Sequence, residues 1–492
     1  MENKIYLPNG TEAQIAVYHE PQIEEFRNPL IQALPPMVSK PEIIEKLTRM
    51  PPFDPSERNR DSWVRVHLLT RLYDIFTVLP IHLQVWEMIH SLLIQGYLAR
   101  NPFDKAYKSF VQETGKRIIE RTYNADMSFN FRSTASAGTL IGVSGMGKTT
   151  TVNQVLRHIP KVLVHNEYNH QHYNQIQLTW VRLETPHNAS LKALCLQFFM
   201  KVDEILGTDN FRKMVSRNLS TDFMVNSIAQ VAQNTKLGVL ILDEIQNLTK
   251  RGGNQLIDFL VSLINSAGLP ILLVGTPSSY ALFEGEFRIA RRLSGSKEVL
   301  WNALKYDKTF RLFLEGIWRY QWLRNYIPLS DELVSAMFEE TQGISDLVVK
   351  LYLYVQQFSI EHGLETITPE IIRRVANHSF RLMKPMLNAL KTGNPYKIAQ
   401  FDDLRILNAK EPTSSPIPAP PVQKRTNVAK KDTKETRPTT VVEKPKRNVD
   451  YREGDLRRCF RIAKQEDVAP ETVLEKAGYI DDMTFWTDGG NR

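Results

Sequence analysis

The run Gly142-Val143-Ser144-Gly145-Met146-Gly147-Lys148-Thr149-Thr150 has the residue types and spacing of a loop that cradles phosphates. Glycines at 142, 145 and 147 let the backbone curl so that successive N–H groups point inward at phosphate oxygens, with Ser144, Met146 and Thr150 completing the binding stretch. Lys148 is placed to reach the outer phosphates of ATP, and Thr149 to ligate Mg2+. Further on, the apolar run Val239-Leu240-Ile241-Leu242 ends in Asp243-Glu244. A carboxylate at that strand end, Asp243, can hold the same metal through water, and Glu244 beside it is suited to orient and deprotonate an attacking water. Two adjacent acids argue for hydrolysis over phosphoryl transfer to a small molecule. Beyond this pair the chain shows no cluster of acids for two-metal nuclease chemistry.

Two further groups fall where they would serve such a site. Thr276, in Leu273-Val274-Gly275-Thr276-Pro277, stands at the tip of the next strand, where it would hydrogen-bond the water or the γ-phosphate. Arg288, Arg291 and Arg292 follow that strand. A guanidinium delivered from a neighbouring subunit would neutralise charge developing on the γ-phosphate, with Arg292 ahead of Arg288 in that role.

The elements that must position these residues read as a parallel sheet with helices, an α/β class. Short apolar runs at Leu140-Ile141, Leu178 to Leu183, Val239 to Leu242 and Ile271 to Val274 alternate with helical patterns. One helix carries Leu191, Leu194, Cys195, Phe198, Phe199 and Val202 on a single face; another carries Leu256, Phe259, Leu260, Leu263 and Ile264 before Gly268 and Pro270 stop it. Cys195 is therefore expected to pack rather than to do redox chemistry. The sequence divides into residues 1–130, an N-terminal docking region broken by prolines; 131–328, the ATPase core; and 329–407, a helical lid with Thr368 as N-cap and Pro369 at the first helical position. Residues 408–450 are a basic linker rich in Pro, Lys and Thr, expected to be disordered, and 451–492 an apolar-dotted tail for a partner.

With 492 residues the chain has room for two or three domains, and no apolar run nears the roughly 20 residues needed to cross a bilayer. Cys195 and Cys459 are too few for a disulfide framework, so a reducing cytoplasm is the expected home. Net charge is +8, but nine basic against three acidic residues between Lys424 and Arg447 supply six of those charges, so the bulk value says little about the folded part. His165, His170 and His172 lack a further well-spaced ligand and read as a polar loop. Trp318, Tyr320 and Trp322 alternate as a strand would, and core or subunit packing is the expectation over base stacking.

These motifs sit among others that resemble TnsC, the AAA+ ATPase regulator of cut-and-paste transposons with heteromeric transposases. The matching stretches are Asn28-Pro29-Leu30-Ile31-Gln32-Ala33-Leu34-Pro35-Pro36, Gly96-Tyr97-Leu98-Ala99-Arg100-Asn101-Pro102, His187-Asn188-Ala189-Ser190-Leu191-Lys192, Leu242-Asp243-Glu244-Ile245-Gln246-Asn247-Leu248, Ile289-Ala290-Arg291-Arg292 and Asp346-Leu347-Val348-Val349-Lys350-Leu351. The resemblance implies an AAA+ P-loop core that, with ATP and Mg2+, assembles as rings or a helical filament on double-stranded DNA in a bacterial cell. It also implies a target selector bound by the N-terminal region and transposase or endonuclease subunits of the TnsA and TnsB type bound by the C-terminal tail. Lys192 is the first candidate for a DNA phosphate contact. Many AAA+ lids present an arginine to the phosphates after a glycine; here Gly343-Ile344-Ser345-Asp346 offers an acid, with Lys350 the nearest cation. Two other readings share the motifs: a replication initiator or helicase loader, and a signalling P-loop switch that does not act on DNA.

Overall fold

The computed structural model describes residues 4–119, 134–187, 190–216, 221–248, 259–264, 267–282, 297–398 and 400–401. Nine strands are seen among them: β1 (Lys4–Tyr6), β2 (Glu12–Ile15), β3 (Ala137–Gly142), β4 (Val162–Tyr168), β5 (Gln171–Leu178), β6 (Trp180–Glu184), β7 (Val239–Asp243), β8 (Ile271–Gly275) and β9 (Lys297–Trp301). Five form one sheet in the order β6-β7-β8-β3-β9, and every pairing in it is parallel. Strands buried on both faces read as unbroken apolar runs, which is why β7 and β8 are legible in the sequence, while β3, interrupted by Thr139, shows only Leu140-Ile141.

Period-two alternation divides these strands between two cores. Val239 and Ile241 of β7, with Leu272 and Val274 of β8, face a core built on the long helix Pro80–Leu98 and the helix Lys148–Leu156. Leu240 and Leu242, with Ile271 and Leu273, face the other core, against the helix Leu191–Leu206, the helix Thr221–Asn234 and Phe259, Leu260, Leu263 and Ile264. Cys195 is fully buried there, and burial pushes its thiol up to about 12, the inert packing role expected of it.

The expected second strand is corrected. Leu178 ends β5 in a separate sheet of order β1-β2-β4-β5, and β6 begins two residues later at Trp180. The expected polar histidine loop is corrected with it. His165 lies buried on β4 between Tyr18 Oη, 2.8 Å from Nδ1, and Gln177 Oε1, 2.8 Å from Nε2, while Asn169 and His170, both at positive φ, make the β4–β5 turn. Interleaved His, Asn, Glu and Gln masked the strand alternation of Val162, Val164, Ile176 and Leu178.

Strand pairing crosses the boundary expected at residue 130, since β2 runs parallel to β4, with Gln14 opposite Leu163 and Ile15 opposite Val164. Prolines 29, 41 and 55 sit in the first turns of short helices, where a missing N–H costs nothing, rather than only breaking the chain into extended pieces. Where a helical lid is expected, the helices Asp331–Thr341, Ser345–Glu361 and Pro369–Ser379 follow, the last with the Thr368 side chain accepting from Ile371 N at 3.3 Å. Trp318 closes a helix at Lys308–Trp318, and Tyr320 and Trp322 follow it outside any strand; all three are buried. Residues 1–413 form one compact unit. The linker and tail expected at 408–450 and 451–492 lie outside the described residues.

Candidate functional site

The glycine-rich loop joins β3 to the helix Lys148–Leu156, with Gly145 and Gly147 at φ +80° and +90°. Gly142 is needed for another reason: a Cβ there would lie 2.4 Å from the Trp301 carbonyl oxygen, so the loop's first glycine lets β9 close against β3. Lys148 is buried, its Nζ donating to the carbonyls of Gly142 at 2.7 Å and Val143 at 3.0 Å. Ser144 and Thr150 are exposed, and Met146 is buried beneath the loop.

Asp243 ends β7 within reach of this loop. Thr149 Oγ1 donates to its Oδ2 at 2.9 Å, and Arg182 of β6 donates through NH2 to the same oxygen at 2.8 Å. Arg182 NH1 reaches Asn153 Oδ1 at 2.8 Å on the phosphate-loop helix. Oδ1 of Asp243 accepts from the Glu244 N–H at 3.0 Å. A hydroxyl and a buried carboxylate meeting edge to edge are hard oxygen donors of the kind Mg2+ takes, so Thr149 and Asp243 fit that metal.

Glu244 adopts φ +57°, a backbone region that costs a non-glycine residue about 1–3 kcal/mol. Its Oε2 accepts from Gln246 Nε2, and Gln246 Oε1 accepts from the Thr276 N–H at 3.1 Å. Thr276 is thus joined to Glu244 through Gln246, while its hydroxyl pairs with Ser278 Oγ at 2.8 Å. The Thr185 hydroxyl donates to the carbonyls of both Asp243, at 2.9 Å, and Glu244. The helix Ser345–Glu361 touches the loop through its backbone: Asp346 N–H donates to the Gly145 carbonyl at 3.0 Å, and Lys350 Nζ pairs with Asp346 Oδ2 at 2.6 Å.

The structure therefore brings together Gly142 to Thr150, Asp243, Glu244 and Thr276. Lys192 is exposed in the first turn of the helix Leu191–Leu206, on the segment that leaves β6. Arg288, Arg291 and Arg292 lie outside the described residues. Sequence reasoning missed Arg182, Asn153, Thr185 and Gln246. Arg182 alone carried a signal: it is the one charged residue inside the apolar stretch Trp180-Val181-Arg182-Leu183.

Residues 131–283 match the family model of the AAA domain. Those residues are an AAA domain. Its fold is the parallel-sheet P-loop fold expected from the motifs. Mouse origin recognition complex subunit 4 is 22% identical over 302 residues, which cover 58% of this chain and 66% of the relative, just under two thirds of its length. Likenesses to solved structures are faint. The Aeropyrum pernix ORC1 protein in complex with DNA shares 16% identity at a TM-score of 0.36, over 55% of this chain and 64% of that one. A Walker-type ATPase of Pyrococcus abyssi shares 16% at 0.34, over 60% and 78%. No helix among the described residues is long and apolar enough to cross a membrane.

Proposed function

We propose that this ATPase is a DNA-bound, oligomeric regulator of transposition of the TnsC kind, which receives a target-selector signal and recruits or activates a transposase. In this reading the loop from Gly142 to Gly147 and Thr150 cradle the phosphates, and Lys148 leaves its two carbonyl partners to pair with the outer ones. Thr149 and Asp243 hold Mg2+, which when bound offsets charge on the β- and γ-phosphates. Glu244 takes the proton of the attacking water, Thr276 helps to place that water, and Arg292, or Arg288, comes from a neighbouring copy. Lys192 contacts a DNA phosphate, the N-terminal region receives the selector, and residues 451–492 engage TnsA- and TnsB-type subunits.

The observation that carries this reading is where the two N-terminal motifs meet. Asn28 caps its short helix through Leu30 N at 3.0 Å and donates from Nδ2 to the Tyr97 carbonyl at 2.7 Å, both partners buried. Arg100, wholly buried, donates to the carbonyls of Gly96 at 2.6 Å and Leu237 at 2.7 Å, and the Tyr97 hydroxyl donates to the Lys236 carbonyl at 2.8 Å. The stretches that carry the resemblance thus grip the start of β7, the strand that ends in Asp243 and Glu244. A rigid link of this kind suits a region that passes a partner's signal to an ATP site.

Removing residues 408–492 tests the assignment of the tail. ATPase and DNA binding are expected to survive while a reconstituted strand-transfer reaction is lost; full transposition by the shortened chain would contradict the reading. The likeness to a subunit of the origin recognition complex favours a second reading, a replication initiator or helicase loader. Loading of a replicative helicase by the purified chain, with no stimulation of a transposase, would select it.

A further inference from the structure

The nucleotide site holds a cation of its own. Arg182 rises from β6 and sets one guanidinium nitrogen on Asp243 Oδ2 at 2.8 Å, beside the Thr149 hydroxyl that donates to the same oxygen at 2.9 Å. The second terminal nitrogen is tied to Asn153 Oδ1 at 2.8 Å, one and a half turns along the phosphate-loop helix. Asp243 is buried, its other oxygen is taken by the Glu244 N–H, and the Arg182 Nε is buried with no hydrogen-bond partner. The guanidinium is therefore held for its charge on Asp243 more than for a complete set of hydrogen bonds.

Mg2+ bound to Thr149 Oγ1 would face the same Asp243 oxygen. Two cations sharing one oxygen of the buried Asp243 carboxylate repel, because partial burial screens their charges less than open water does. We propose that Arg182 is a resident cation that neutralises Asp243 before the metal arrives and gives way on Oδ2 as Mg2+ binds, so that it sets the Mg2+ concentration at which the triphosphate is held. The inference rests on the nucleotide-site assignment above. It gives β6 a part in the chemistry, and the segment leaving β6 leads to Lys192, so contacts made there have a short path to the metal.

The test is a Mg2+ titration of the full chain with a fluorescent, slowly hydrolysed ATP analogue, reading the half-saturating metal concentration. Arg182→Met, which keeps the bulk and removes the charge, is expected to lower that concentration about tenfold, and Arg182→Lys to leave it within about twofold of the native chain. Asn153→Ala, which frees the far end of the guanidinium, is expected to lower it about two- to threefold and serves where Arg182→Met does not fold. An unchanged or raised half-saturating concentration in Arg182→Met, or in Asn153→Ala where that is the folded variant, would overturn the inference, since a residue that merely orients Asp243 for the metal gives that result. Lys148→Ala is the control: binding that survives it would place the nucleotide elsewhere and overturn the site along with the inference. Its loss, with no shift on changing Arg182, would overturn the inference alone.

Discussion

Replacing Arg65 with methionine removes a buried tie between the helix Ser62–Leu68 and the segment that follows the helix Ser345–Glu361. Arg65 is 1% exposed and Glu365 18%, and they meet as a two-pronged ion pair, NH2 to Oε1 at 2.7 Å and NH1 to Oε2 at 2.9 Å. NH1 also donates to the Trp322 carbonyl at 2.8 Å, and Nε to the Arg60 carbonyl at 3.1 Å. Breaking a buried pair from one side costs about 3–5 kcal/mol. Glu365 is not fully stranded, because the Arg324 N–H still donates to it at 2.9 Å, which places the expected loss near the lower end, about 3 kcal/mol. Urea unfolding followed by tryptophan fluorescence reads this loss, and a cycle with Glu365→Gln should return a coupling of about 1.5–3 kcal/mol. Burial pushes the Glu365 carboxyl up, but Arg65 and the Arg324 N–H outweigh it and hold it below its ordinary 4.5. A carboxyl lowered in the folded state stabilises above its ordinary value and loses that contribution as pH falls through the folded one. The native chain should therefore lose stability below about pH 4.5 at this pair, and Arg65→Met should lose less there. A loss under about 1 kcal/mol, or a coupling near zero, would show that this pair does not hold the two segments together.

Three other outcomes follow from the geometry. Glu244→Gln should leave nucleotide affinity nearly unchanged and slow phosphate release about 10²- to 10⁴-fold, checked by equilibrium binding beside steady-state turnover; native turnover would remove Glu244 from the role of base. Gly343→Ala should cost about 2–4 kcal/mol and raise the nucleotide dissociation constant, because Gly343 sits at φ +72° with a Cβ position 2.0 Å from the Leu304 carbonyl oxygen, three residues before the lid's contact with the loop. Burial lowers His82 to about 3 and His90 and His165 to about 4. Histidines lowered in the folded state leave the unfolded chain binding more protons below their ordinary 6.5, so stability should fall as pH drops from about 6.5 towards 4, by about 1.4 kcal/mol per unit for each; urea midpoints at pH 7, 6 and 5 test this.

What was legible in the sequence was what local chemistry dictates. The glycine spacing at 142, 145 and 147, the apolar run into Asp243-Glu244, the one-sided face from Leu194 to Val202 and the Thr368-Pro369 cap each depend on residues a few positions apart. What escaped depends on partners brought together by the fold. Arg65 meets Glu365 from 300 residues away in the chain, and Arg182 finds Asp243 only because β6 and β7 lie side by side. The β4–β5 hairpin escaped because its outward positions are polar and its turn is Asn169-His170, without the glycine that usually marks one. The edge strand β9 is short and opens on Lys297-Glu298, so its apolar signal is confined to Val299, Leu300 and Trp301.

In the proposed function, ATP binding makes this chain assemble on duplex DNA. Electron microscopy of the purified full chain with duplex DNA, comparing a slowly hydrolysed ATP analogue with ADP, tests it most directly. Rings or helical filaments are expected on DNA with the triphosphate alone, lost in Lys148→Ala. Monomers that ignore DNA in every nucleotide state would contradict it and leave an ATPase that switches without touching nucleic acid.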